Sequence, residues 1–371
     1  MINDQRGEDE RYLTEQVITY IGNKRALLDF IGSAVDDVRN ELSKERIDIA
    51  DVFSGSGIVS RFMKQYSRKL YVNDLEDYCE TINRCYLANA DGIDMDALCD
   101  HYRHITGILD KEPFRKGFIS RLYSPEDDEN IQPEERVFFT SRNAAYIDTA
   151  RQLIGQIPEP YRTYLLAPLL YEASVHNNTG GVFKGFYKNS KTGTGQFGGN
   201  GRYALSRITA DISLKIPVWS RFNCDVNVYK EDANLLAKRL PHTDLVYIDP
   251  PYNQHPYGSN YFMLNLINDY VEPKEISRVS GIPKEWNRSL YNKAGAAKEC
   301  MRHLCEDLDT GHLLISFSDD GFISREEMTD MLGRLGDVKV MSRRYNTFRA
   351  GRNLNGRSIH VSELLYLVKK K

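Results

Sequence analysis

The 371 residues, 41% hydrophobic and 27% charged, have the composition of an ordinary globular protein and enough chain for one large domain with an insertion or for two domains. A formal net charge of −3 argues against a protein that coats nucleic acid by bulk charge, and no apolar run approaches the roughly 18 residues that a membrane span requires. The start, MINDQRGEDERYLTE, is too acidic and polar for a secretory signal, and six scattered cysteines without a CxxC pair point to reduced thiols, so a cytoplasmic location with no membrane association is expected.

In chain order, Tyr20-Ile21-Gly22-Asn23-Lys24 opens a helical pattern in which Leu27, Leu28, Ile31, Val35, Val38 and Leu42 recur at helical spacing. A lysine at a helix amino terminus is suited to binding a carboxylate. Ile47 to Phe53 reads as a strand, followed by the turn Ser54-Gly55-Ser56-Gly57 and a helix from about Ile58 to Gln65. Strand, glycine turn and helix form the first unit of a nucleotide-binding α/β fold. A second strand, Leu70-Tyr71-Val72, ends in Asn73-Asp74 and places an acid where a ribose would present its hydroxyls. Ser60 stands where the dinucleotide fingerprint has its third glycine, which disfavours a dehydrogenase.

After a helix predicted from Glu76 to Ala90, strand–helix alternation lapses until about Ser220. Residues 91–220 are therefore expected to be an inserted, mostly helical domain, with 1–90 and 221–371 forming the α/β body. The insertion begins with a polar stretch punctuated by Pro113, Pro125 and Pro133, and then has helices at Arg142 to Ile154 and Tyr161 to His176. The tract from Asn177 to Arg207 is loop-like, and its aromatics (Phe183, Phe186, Tyr187, Phe197, Tyr203) alternate with Lys184, Lys188, Lys191, Arg202 and Arg207. From Gly181 to Lys230 there are eight Lys or Arg against two Asp, and from Met341 to Arg357 five Arg against no acid. Basic loops on an acidic body suit local phosphate contact, and the aromatics suit insertion into a base stack.

The sheet pattern resumes at Val226 to Tyr229 and closes in Glu231-Asp232, a second acid at a strand end. Leu245 to Ile248 is then a buried strand opening into Asp249-Pro250-Pro251-Tyr252. Two prolines fix φ and remove amide donors, leaving the Asp249 carboxylate and nearby carbonyls as a cluster of acceptors. Such a cluster accepts hydrogen bonds from an exocyclic amino group and localises its lone pair for attack; Tyr252 offers a flat face to a base. Taken alone, the tetrapeptide also admits a lesser reading as a Pro-Pro turn with a surface cap. Further strands are predicted at His312 to Phe317, Val338 to Tyr345 and Leu364 to Val368.

Taken together, YIGNK at Tyr20, DVFSGSG at Asp51, NDLEDY at Asn73, Asp232, DPPYNQHPYGSNY at Asp249, SFSDDG at Ser316 and NTFRAGRN at Asn346 give the chain a resemblance to the Dam-like, α-arranged class of DNA adenine-N6 methyltransferases. Within that class it is most similar to the enzymes of FokI-type restriction-modification systems. The resemblance implies a Rossmann-like S-adenosylmethionine-dependent methyltransferase sheet, S-adenosylmethionine as methyl donor and double-stranded DNA as substrate. It also implies extrusion of the target base, no metal, and a target-recognition role for the insertion; a cognate restriction endonuclease would act separately. Residue by residue, it implies that Tyr20, Gly22 and Lys24 approach the methionine end of the donor, with Phe53, Gly55 and Gly57 beside it. Asp74 would take the ribose hydroxyls and Asp232 the adenine amino group. Asp249 and the Pro250 carbonyl would hold the target amine, Pro251 would stiffen the turn, and Tyr252 would stack on the extruded base. Ala233 departs from the pattern, which often has phenylalanine there. Rival readings are a cytosine-N4 methyltransferase, disfavoured by Asp249, and a catalytically silent DNA-binding subunit.

Overall fold

The protein is described here from a computed structural model that covers residues 7–199, 204–318, 321–346 and 360–371. Seven strands, β1 (Ile47–Asp51), β2 (Ser67–Asp74), β3 (Asp225–Lys230), β4 (Thr243–Ile248), β5 (Thr310–Ser318), β6 (Gly336–Asn346) and β7 (His360–Lys370), form one sheet in the order β3-β2-β1-β4-β5-β7-β6. β1 to β5 are mutually parallel, whereas β7 runs antiparallel to both of its neighbours. Leu245, Val246, Tyr247 and Ile248 of β4 are all buried, as befits a central strand covered on both faces.

Alternate residues of each strand feed opposite faces. Ile49, Leu70, Leu245 and Leu365 pack with the helices Leu28–Leu42, Ile58–Met63 and Asp77–Tyr86. Ala50, Tyr71, Val246 and Leu364 pack on the other side with Ala233–Ala237, Ala294–Asp307 and Arg325–Gly333. The chain leaves β1 toward β2 and β3 on one side, then returns to place β4 on the other. Strand order thus reverses between β1 and β4, and open sheets form their ligand crevice beyond the carboxyl ends of such a pair.

Segment 91–220 has helices and no named strand among its described residues, and it enters between the helix Asp77–Tyr86 and β3. Leu98, Ile105, Ile147, Leu165 and Leu169 from this segment are buried in the same apolar cluster as Ile31, Met63 and Leu70 of the sheet body. Its 15-residue helix Met95–Leu109 corrects the expectation of a merely polar, proline-punctuated stretch. Asp94 caps that helix through the amide of Ala97 (3.0 Å), and only Leu98, Ile105 and Leu109 are buried, so its apolar stripe is too narrow to stand out in the sequence. The buried Asp148 ties this segment to the body. Its carboxylate accepts from the amides of Gly117 (2.7 Å), Ile119 (3.2 Å) and Ser120 (2.8 Å) and from the hydroxyl of Tyr270 (2.8 Å). Among the described residues no helix is long and apolar enough to cross a membrane.

Candidate active site

The carboxyl ends of β1, β2 and β4 open into one cleft of about 880 Å³. Its floor is the turn after β1. Gly55 and Gly57 have φ of 51° and 76°, in the left-handed region where only glycine is unstrained. Space imposes the same choice: a Cβ on Gly55 would lie 2.8 Å from the Tyr20 ring, and one on Gly57 would lie 2.5 Å from Asn83 Oδ1. Asp74, at the end of β2, grips this turn by accepting from the Gly55 amide (2.8 Å), and also accepts from the amides of Leu75 (2.8 Å) and Glu76 (3.1 Å). Burial raises its pKa despite those three bonds. Asp232 caps the helix Ala233–Ala237 through Oδ1, which accepts from Asn234 (2.9 Å) and Leu235 (3.3 Å), and it faces the cleft. Phe53 meets Tyr291 edge to face at 5.1 Å.

Asp249 stands at the end of β4, its side chain 17% exposed. Lys24 is 3% exposed and does not face solvent; its Nζ lies 3.1 Å from Asp249 Oδ1 and 3.1 Å from Glu363 Oε1. Burial pulls on the Lys24 ammonium, but the two carboxylates outweigh it and hold it charged, well above the ordinary lysine range. Asp249 moves up to about 6, because burial, reinforced by Glu363, outweighs the stabilising ammonium. Lys24 reaches this position because the chain turns at Gly22 (φ 75°) into the short helical turn Arg25–Leu27. Tyr20, just before it, is stacked on both Tyr257 (4.9 Å) and Tyr261 (4.7 Å), whose hydroxyls bond the carbonyl and amide of Ile21.

Pro250 is buried, while the half-buried Pro251 lines the cleft. Tyr252 is half-buried beside the cleft rather than in its lining, edge-on to Phe317 at 6.0 Å, and its carbonyl accepts from the Phe322 amide (3.0 Å). Tyr20, Gly22, Lys24, Phe53, Gly55, Asp74, Asp232, Asp249 and Pro251 all meet around one space, with Gly57 shaping the turn beneath.

The basic tract behaves differently along its length. Lys184, Lys188 and Lys191 are exposed, and Lys188 Nζ lies 5.0 Å from the centre of the Phe186 ring. Phe183, expected to be available for a base stack, is instead buried beside Phe138 (6.2 Å) and Phe139 (6.3 Å), and Phe186 packs edge-on against Phe138 (5.2 Å). Arg207 is a second correction: its half-buried guanidinium donates to the Val175 carbonyl, and its own carbonyl bonds His176 Nδ1 (2.7 Å), so it holds the loop's base instead of facing phosphate. Arg202, Tyr203 and most of the Arg-rich stretch, from residue 347 onward, lie outside the described residues.

The sequence alone assigns no role to three site groups, although Asp51 opens DVFSGSG and Glu76 lies within NDLEDY. Glu76, 3% exposed, lines the cleft and accepts from the amides of Asn265 (2.6 Å) and Asn287 (3.2 Å); burial lifts it to about 7. Asp51 accepts from the Ser60 hydroxyl (2.6 Å) and is likewise lifted by burial to about 7. Glu363 is a single acid within the apolar strand β7, and that isolation was its one sequence signal.

Sheet order and cleft define an α/β class with a ligand crevice beyond the carboxyl ends of β1 and β4, and with the carboxylate of Asp249 at the end of β4. The chain belongs to the D12 class N6 adenine-specific DNA methyltransferases, which it matches over residues 20–331. It is 28% identical to the type II methyltransferase M.NlaIII of Neisseria lactamica, covering 95% of this chain and 99% of that one. It is also 28% identical to M.CviAII of Paramecium bursaria Chlorella virus 1, with 95% and 98% covered. Against M.FokI of Planomicrobium okeanokoites the identity is 26%, and the match takes in 95% of this chain but 52% of the relative. The protein is a DNA adenine methyltransferase.

Proposed function

We propose that the protein transfers a methyl group from S-adenosylmethionine to N6 of an adenine extruded from duplex DNA, as the cytoplasmic modification enzyme of a restriction-modification system whose endonuclease acts separately. The observation that carries this reading is the Asp249 carboxylate, held by a buried ammonium at the end of β4 and open to the cleft at the point where strand order reverses.

The cleft fits the donor. It is lined by the backbone turns and acids at the ends of β1, β2 and β4, beside the aromatic rings of Tyr20, Phe53 and Tyr291. Asp232 Oδ2 has no hydrogen bond among the described residues, which leaves an acceptor for an amino group. Asp74, beside the bare Gly55 backbone, is placed for a diol, with Phe53 as a neighbouring aromatic surface. Tyr20, Gly22 and Lys24 form the opposite wall. When bound, S-adenosylmethionine supplies a methyl group on a positively charged sulfur.

Asp249 and the Pro250 carbonyl accept from the adenine amino group and so keep its lone pair on nitrogen, available for attack. Asp249 then faces the acidic ammonium-like product, and a carboxylate raised to about 6 is a better proton acceptor there than one at its ordinary value. Tyr252, backed by Phe317, provides the face for the extruded base. The segment 91–220 reads the target, with Lys184, Lys188 and Lys191 on its phosphates.

Incubation with methyl-labelled donor and duplex DNA, then hydrolysis to nucleosides, tests the reading. Label in N6-methyl-2′-deoxyadenosine is expected; label in N4-methyl-2′-deoxycytidine, or DNA without label, would overturn it.

A further inference from the structure

We infer that Glu363 on β7 is a positioning residue for methyl transfer: it shares Lys24 with Asp249 and keeps the acceptor site at a net negative charge. The inference rests on the assignment of Asp249 as acceptor for the target amine.

Glu363 is 1% exposed and follows Ser362 into the apolar run Leu364, Leu365, Tyr366. A carboxylate there is costly to desolvate, and a well-packed apolar residue would serve the strand better. It is instead fully engaged at the site. Its Oε1 accepts from the Ser316 hydroxyl of β5 (2.5 Å) and lies 3.1 Å from Lys24 Nζ, which also lies 3.1 Å from Asp249 Oδ1. β7 delivers it there because it runs antiparallel beside β5, with Ser318 in register against Glu363.

The chemical consequence is in the charge count. An ammonium paired to Asp249 alone would make a neutral pair and draw acceptor strength from the carboxylate. Shared between two carboxylates, the same ammonium fixes the position of Asp249 while the trio keeps one net negative charge. Positive charge accumulates on the adenine amino nitrogen as it is alkylated, and a fixed negative centre stabilises that change without reorganising. Other groups around Asp249 among the described residues are Asp51 on β1, Tyr247 on β4, Tyr252 and Tyr257; those near Glu363 also include Tyr247. Its register partner on β6, Arg343, sends its guanidinium to Asp29 instead. All of these stay in place when Glu363 alone is changed.

Glu363→Gln preserves size and can still accept from Ser316 and Lys24, so it removes charge alone. Single-turnover transfer at saturating donor and DNA should slow by roughly tenfold or more. In donor-free protein labelled at aspartate carboxyls, the NMR titration midpoint of Asp249 should fall by about half a pH unit or more, since a nearby like charge is gone. Donor and DNA affinities should hold within about twofold. Glu363→Asp, which restores the charge, should return the midpoint toward that of the wild type. An unchanged rate and midpoint in Glu363→Gln would overturn the inference, as would equal losses in the Gln and Asp variants. Asp249→Ala is measured in parallel: if it transfers methyl normally, the acceptor assignment itself fails; if it is inactive while Glu363→Gln is normal, only the role of Glu363 fails. Should Glu363→Gln not fold, Ser316→Ala removes the orienting hydroxyl without touching charge; a slower transfer step is expected, and an unaltered one overturns the inference.

Discussion

Replacing Lys24 with methionine should cost the fold more at alkaline than at acidic pH. In the native protein one ammonium, 3% exposed, is shared between two carboxylates at 3.1 Å each. Methionine keeps the aliphatic stem and leaves Asp249 and Glu363 facing each other without a cation. Removing one partner of a buried ion pair costs about 3–5 kcal/mol when the remaining charge stays ionised. With unfolding entropy of about 2.1 cal/mol/K per residue near the transition, that is a fall in melting temperature of roughly 4–6 °C for a chain of this length. The pH dependence follows from the sign of the shift. Asp249 is already raised to about 6 by burial with the ammonium present and rises further without it, so the protonated fold is favoured. Its advantage is complete below the unfolded pKa near 4 and is lost as pH rises through the raised folded pKa. The deficit relative to wild type should therefore be largest at about pH 8 and shrink to under half at about pH 5. Thermal melts of both proteins at the two pH values measure it. A deficit below about 1 kcal/mol, the size of a surface pair, or one that is the same at both pH values, would refute the buried-triad reasoning and return Lys24 to a role in donor binding alone.

Asp74→Ala should weaken donor binding about tenfold or more, the equivalent of roughly 1.5–3 kcal/mol for a lost charged hydrogen bond; titration calorimetry reads this, and an unchanged affinity would leave Asp74 as only the clamp on Gly55. Changing Lys184, Lys188 and Lys191 together to alanine should flatten the salt dependence of DNA binding by about 0.9 log units per lost phosphate contact while donor affinity stays fixed. Fluorescence anisotropy across a salt series tests it, and an equal slope would show that these lysines face only solvent. Asp148→Ala strips the acceptor from three backbone amides and the Tyr270 hydroxyl. Denaturant unfolding should register a loss of about 3 kcal/mol or more, and a loss under about 1 kcal/mol would mean that water replaces the carboxylate.

The sequence made the α/β body legible because its signals are local. β4 is a continuous apolar run closed by a stiff turn, and the Gly55 to Gly57 turn sits directly between strand and helix, so both could be placed without knowing any neighbour. Glu363 and Lys24 form a contact between opposite ends of the chain; no local spacing announces it, and Lys24 taken by itself reads as a helix-start cation. The helix Met95–Leu109 was hidden by a mostly solvated surface. In the basic tract, composition could not separate Phe183 and Phe186, which pack on Phe138, from lysines that reach outward. Arg207 illustrates the same ambiguity, since a guanidinium serves a backbone carbonyl as readily as a phosphate.

Under the target-reading role proposed for segment 91–220, the apolar cluster it shares with one face of the sheet constrains how this enzyme can acquire a new target. Leu98, Ile147 and Leu165 fill space against Ile31, Met63 and Leu70, so grafting in the whole segment from a relative at 28% identity would bring mismatched volumes into the common interior, where overpacking or a void costs on the order of 1–5 kcal/mol per site. Lineages of this architecture should therefore diversify by redrawing exposed loops, such as the one bearing Lys184 to Lys191, on a preserved interior. Recombination that swaps recognition segments wholesale would yield proteins that fail at folding before specificity is ever tested.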